Sequence, residues 1–157
     1  MSPHAHRCTA CGRIWSTEQS HRWWVYWYQL WLAERVWMLA LEFGLSGEAR
    51  YEKRALATLA ELVRRYEAYP GADNVLGPSR PFFSTYIESV WVLQLAAAAG
   101  LLEDLGRLPA DLGRDLRVHL FRPSAALIAD FDEGRSNRQA WNAAALFALG
   151  RVLDDRG

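Results

Sequence analysis

From Phe83 to Leu102 the chain reads FSTYIESVWVLQLAAAAGLL, a stretch that is apolar on nearly every side of a helix. A helix of that kind belongs in the middle of a fold, where neighbours cover each of its faces. It therefore requires other helices around it, and the remaining sequence has the same period. Apolar residues recur at helical spacing almost throughout, with no convincing strand alternation. A first helix is expected from about His21 to Gly44, with Gly44 and Gly47 as stop signals. A second should run from about Glu48 to Tyr69, with Leu56, Leu59, Leu62 and Val63 on one face. The stretch PGADNVLGPSRP that follows is a loop rich in turn formers. Beyond the central helix, GRLPADLG breaks the chain. A fourth helix is expected from about Pro109 to Asp132, kinked or broken at Pro123. A fifth begins at Ser136 or Asn137 and reaches about Leu153. Such helices, joined alternately by short and long loops, form antiparallel hairpins. The expected class is all-α, with residues 1–20 as a lead-in and 21–157 as one helical domain of about five helices.

A chain of 157 residues with 51% hydrophobic content can bury one core. Its 18 basic and 18 acidic residues balance, and Lys53 is its one lysine, so no basic tract argues for a nucleic-acid partner. The start, MSPHAHRCTACG, lacks the charged-then-apolar pattern of a signal peptide, which makes the cytoplasm the expectation for the chain as given. The stretch Trp23 to Leu45 is interrupted by Gln29, Glu34, Arg35 and Glu42, so no membrane span is expected there. Aromatic content is the outlier, with eight tryptophans. Tryptophan is favoured where a flat apolar face meets polar groups, and stacking on sugar rings is one such use. Trp24, Trp27 and Trp31 share one helical stripe and are expected to pack inward. Trp23, Tyr26 and Tyr28 are left to line a cleft.

The last helix opens as GRSNRQAWNAAALFALG. Ser136 and Gln139 have the spacing of a capping box, and Gly134 supplies the reversal before it. Capping does not account for Asn137, a middling helix former in a first turn. Nor does it account for Arg138, a cation facing the positive end of the helix dipole. Trp141 lies one turn beyond Asn137 and Asn142 one turn beyond Arg138, so each pair shares a face.

Several stretches, in order, resemble the helical domain of the heparinase II/III-like and alginate-lyase-like polysaccharide lyases. HRWWVYWYQLWLAERVWMLALEFGLSGEARYEKRALATLAELVRRYEAYP is similar to that family's tryptophan-rich first helix, its Gly-acidic-x-x-Tyr reversal and its second helix ending in Tyr-Pro. FFSTYIESVWVLQLA resembles the third-helix segment, with Glu88 and Trp91 in its core, and HLFRPSAALIADF the Arg-Pro helix. SNRQAWNAAALFALG resembles the Ser-Asn-His-x-x-Trp signature, and CTACGRIW a cysteine-bearing lead-in. The resemblance implies part of an incomplete α/α toroid with a sugar cleft across one end. It implies β-elimination on uronic-acid-containing glycans, an acidic polysaccharide or oligosaccharide as partner, and no cofactor for catalysis. Family members are often periplasmic or secreted.

Elimination removes the C5 proton of a uronate and builds charge on the adjacent carboxylate, which a hydrogen-bond donor must meet. A base takes the proton and an acid protonates the leaving O4. The resemblance gives the first task to Asn137, whose amide donates without a competing charge. Where the signature has histidine, this chain has Arg138, which stays protonated and so is suited to binding a carboxylate or sulfate rather than to proton transfer. The family's catalytic tyrosine and later histidine would fall beyond Gly157, so the expectation is a lyase fragment that is inactive alone. Arg138, Trp141, Glu88, Tyr86, Trp23 and Tyr26 are the candidate substrate-binding residues. Glu88, in an apolar helix, needs a partner such as an arginine or a backbone amide.

His4, His6, Cys8 and Cys11 form a candidate zinc set on the lead-in, of which one CxxC is half. The apolar side of the last helix (Ala144, Leu146, Phe147, Leu149, Val152) is expected to lack a partner helix, which suggests a homo-oligomer through that face. Three other readings compete with the lyase fragment. One is a non-catalytic glycan-binding relative, and another is a helical scaffold that recruits a protein. The third is a toroid hydrolase of unsaturated sugars, for which Glu88 is the only plausible carboxylate.

Overall fold

A computed structural model of the chain describes residues 5–153. The fold is all-α. Helix α1 spans Glu18–Ser46, α2 Ala49–Tyr66, α3 Thr85–Asp104, α4 Ala110–Leu116, α5 Arg122–Ala129 and α6 Asn137–Leu153. Helix α1 starts earlier than its apolar pattern does because the Thr17 hydroxyl caps it, accepting the Ser20 N–H at 3.1 Å. Gly47, at φ 71°, ends it with an N–H bond to the Phe43 carbonyl. As expected, the fourth segment is interrupted beside Pro123, which lies in the first turn of α5. Residues Arg117–Phe121 form a π turn between α4 and α5, in which the Arg122 N–H reaches back to the Arg117 carbonyl. The widened turn accommodates a ring that cannot donate and would crowd the preceding carbonyl. The lead-in adds what the helical pattern did not predict: two-residue strands β1 (His6–Arg7) and β2 (Ile14–Trp15), paired antiparallel with His6 opposite Trp15.

Helix α3 lies between α1 and α6, with α2 against α1 and α4–α5 closing the second layer. It is long and apolar enough to cross a membrane (mean hydropathy 1.3), and here that apolarity serves its place between two helices. Three contacts fix the direction of the layer. Phe83, just before α3, touches Trp23 and Tyr26 near the start of α1. Ser89 in α3 bonds Asn142 near the start of α6. At the far end, a Cβ on Gly44 would stand 3.6 Å from Leu105, and one on Gly100 would stand 3.4 Å from Val152. Helices α1, α3 and α6 therefore run the same way, and all three begin at one end of the molecule.

Small residues make this layer. The buried stripe of α1 is Gln29, Ala33, Val36 and Ala40, facing an α3 rich in buried alanine (Ala96, Ala98, Ala99). Trp24, Trp27 and Trp31 lie off this buried stripe, so their expected inward packing is corrected. Trp27 is 65% exposed and Trp31 49%, while Trp24 is half-buried. The last helix is likewise better covered than expected. Leu149 and Val152 are buried along α3, whereas Phe147 stays 75% exposed.

Candidate functional site

At the start of α6 the capping box forms by half. The Ser136 hydroxyl accepts the Gln139 N–H at 3.1 Å, but Gln139 reaches past the cap to accept the Glu133 N–H at 3.0 Å. The reversal is made by Gly134 at φ 64°, whose N–H bonds the Asp132 carboxylate. Asn137 is exposed, and its side chain bonds no described residue. Arg138 lies 3.5 Å from the Glu133 carboxylate, whose side chain is only 8% exposed. That acid offsets the unfavourable placing of a cation at a helix N-terminus. Trp141 is 43% exposed on the Asn137 face. Asn142 points the other way, fully buried, and its amide oxygen accepts from the Ser89 hydroxyl at 2.8 Å.

At the start of α1, Trp23 meets Tyr26 (centroids 5.8 Å) and Phe83 (5.7 Å), both edge-on. Tyr26 also packs on Phe82 and Phe83, and burial raises its phenol pKa against the pull of Arg22. Trp23 is 45% exposed. Tyr86 is half-buried, and its hydroxyl bonds no described residue.

Glu88 is not at a cleft, which corrects its expected role in binding a sugar, but it does have the backbone-amide partner expected of it, the Arg80 N–H. It is fully buried, and its carboxylate accepts four hydrogen bonds. One oxygen accepts from the Tyr66 hydroxyl and from Ser124 Oγ at 2.9 Å. The other accepts from Ser79 Oγ at 2.6 Å and the Arg80 N–H at 2.9 Å. Burial, then the charge of Glu88, pushes the Tyr66 phenol well above its ordinary range, so it stays a donor. This one side chain ties α2, the 67–84 loop, α3 and α5 together, and no ligand can reach it.

Two features lay outside the sequence expectations. The first is a ladder of rings on α1. Trp24 stacks on Tyr28 (5.0 Å, 8°) and Tyr28 on Trp31 (5.8 Å), with Arg35 beyond Trp31 and His6 stacked on Trp24 at 5.4 Å. The spacing of 24, 28 and 31 carried that signal, but large apolar residues were read as core. An open groove of about 600 Å³ runs beside the ladder, lined by Trp27, Trp31, Val90 and Gln94 among others. The second is a groove of about 690 Å³ between α1 and α2, bordered by Arg54, Glu61, Arg65 and Tyr69. Neither groove includes Asn137, Arg138 or Trp141, so the predicted site residues divide into an α6 group and an α1 group.

In the lead-in, Cys8 and Cys11 occupy the tip between β1 and β2. The Cys8 N–H bonds the Arg13 carbonyl at 2.8 Å, and the Gly12 N–H bonds the Cys8 carbonyl at 2.9 Å. Backbone N–H groups of Cys11 and Ala10, and the Cys11 thiol, point at Cys8 Sγ and hold its pKa below the ordinary thiol value. His6 is half-buried against Trp24 and His21. Among the described residues no three His, Cys, Asp or Glu stand together in a metal-holding group. His4 lies outside the described residues.

No family model matches this chain, and no curated protein is similar to it.

Proposed function

We propose that this chain binds a uronate-containing glycan at the end where α1, α3 and α6 begin, as part of an α/α-toroid polysaccharide lyase. The observation that carries the reading is Asn137, an exposed amide with no bond to another described residue, held by a capped and closely packed helix. A donor kept free at a fixed position is what a carboxylate gathering charge during elimination needs. Arg138, 42% exposed and only loosely paired at 3.5 Å, retains N–H groups for a second acidic group. Trp141 on the same face offers a flat ring for a sugar. No described tyrosine bonds or stacks with these three, so the reading gives them binding and charge stabilisation, and the base and acid lie elsewhere.

Titration of the chain with a uronate trisaccharide and with its carboxyl-reduced neutral counterpart tests this. The acidic sugar should bind and the neutral one should not. Asn137→Ala and Trp141→Ala should each weaken binding about tenfold, or ~1.4 kcal/mol. Equal affinity for both sugars, or no effect of Asn137→Ala, contradicts the proposal.

The exposed rings of Phe147 (75%) and Trp27 (65%) favour a second reading, a helical scaffold whose open faces meet another protein. It predicts concentration-dependent association that Phe147→Ser abolishes, and no affinity for uronates.

A further inference from the structure

Helices α1 and α2 run antiparallel. Gly47 joins the end of one to the start of the other, and Tyr69, just past α2, meets Gln29 in the first half of α1. Along α2, residues 54, 58, 61 and 65 fall at helical spacing, so two arginines, a threonine and a glutamate form one stripe. Between this stripe and α1 lies the groove of about 690 Å³, whose apolar lining includes Leu32, Ala57 and Leu62.

One end of the groove is built around Gln29. This side chain is 7% exposed, and its Nε2 donates to the Tyr69 hydroxyl at 2.6 Å. Its Oε1 is buried with no hydrogen-bond partner among the described residues. The Tyr69 oxygen is engaged as an acceptor, but its own hydrogen meets no described acceptor. An amide oxygen left unmet at that depth costs stability, because buried polar groups are normally satisfied. One acceptor and one donor side by side are the complement of a single hydroxyl, which gives one hydrogen bond and takes another.

The α2 side carries surplus positive charge. Glu61 gives both oxygens to Arg64 (2.6 and 3.0 Å) and one of them also to Arg65 (2.6 Å), so one carboxylate serves two guanidinium groups. The Arg54 side chain is exposed and pairs with no described acid. Arg54 stands eleven residues before Arg65, which is ~16 Å along a helix. The Gln29 end and the unpaired cation are therefore separated by an apolar stretch, part of which the long Arg54 side chain spans.

We propose that this groove binds a hydroxyaryl carboxylate, a flat apolar body with a hydroxyl at one end and a carboxylate at the other. The hydroxyl donates to Gln29 Oε1 and accepts from Tyr69. The ring system lies along Leu32, Ala57 and Leu62, and the carboxylate pairs with Arg54. Asn137, Arg138 and Trp141 do not border the groove, so this site is separate from the uronate site.

The probe is a hydroxynaphthoate with its two groups at opposite ends, titrated into the full chain. Naphthoate and naphthol are the controls, each lacking one group. Backbone amide and Gln29 side-chain resonances locate the bound compound. The hydroxynaphthoate should bind at least about tenfold more tightly than either control, as expected for losing one hydrogen bond to a charged or buried partner. Arg54→Ala should erase its advantage over naphthol and leave naphthol itself unchanged. Tyr69→Phe, which keeps the ring and its packing, should erase its advantage over naphthoate. Equal binding of all three compounds overturns the proposal, as does an Arg54→Ala effect that is the same for naphthol. Resonance shifts centred on Trp27 or on Trp141 overturn it too, as does the absence of saturable binding.

Discussion

The start of α3 and the start of α6 use polar residues to opposite ends. Around Glu88 a buried carboxylate meets four donors from three other segments and nothing is left over. Around Asn137 the cap is made, one ion pair is stretched to 3.5 Å, and an amide and an indole face solvent. A buried charge has to be saturated or it unfolds the protein around it. An exposed donor costs nothing to leave open, so it can be kept for a ligand. The first region is organised for stability, the second for contact.

Substitutions should separate the two regions, with the largest effect at Glu88. Glu88→Ala leaves four buried donors without an acceptor and should cost at least ~3 kcal/mol, read from urea unfolding. A loss under ~1 kcal/mol would mean that water replaces the carboxylate and that the contrast is weaker than argued. Next comes Gly77, in the loop over the start of α3. At φ 82° it leaves no room for a side chain, since a Cβ would lie 2.2 Å from Thr85 Oγ1 and 2.5 Å from Phe131 Cδ1. Gly77→Ala should cost roughly 2–4 kcal/mol through handedness and overpacking together, measured by the shift in thermal midpoint. Ser136→Ala removes only a helix cap and should cost about 1 kcal/mol, with fraying confined to the first turn of α6 in amide exchange. Asn137→Ala should be the mildest for folding, within ~0.5 kcal/mol of the parent, while still lowering affinity for a uronate. A large stability loss there would make Asn137 a structural residue and erase the distinction.

The helices were legible because each carries its period and its own punctuation. Ser136 and Gly134 marked the start of α6 and Gly47 the end of α1, whereas Gly44, also read as a stop, lies inside the helix. Size misled the reading of α1. Its tryptophans suggested the inward face, but the buried stripe is Gln29, Ala33, Val36 and Ala40, and Trp27 and Trp31 turn outward. The environment of Glu88 was half legible. An acid in an apolar helix demanded partners, but three of its four donors come from Tyr66, Ser79 and Ser124, hydroxyls brought in by distant segments. Arg138 looked misplaced at a helix start because its partner, Glu133, sits beyond a glycine reversal that local spacing does not show to close back on it. Pro123 was read as a kink or break, and the helix is interrupted just before it; that the interruption is a π turn leaves no mark on apolar periodicity.

The most direct test of the account is to map where a uronate trisaccharide touches the protein, by following backbone and indole N–H resonances through a titration. The account predicts shifts at Asn137, Arg138 and Trp141, with Trp23 next, and a quiet Glu88 environment. Shifts confined to the groove between α1 and α2, or none at saturating sugar, would contradict it.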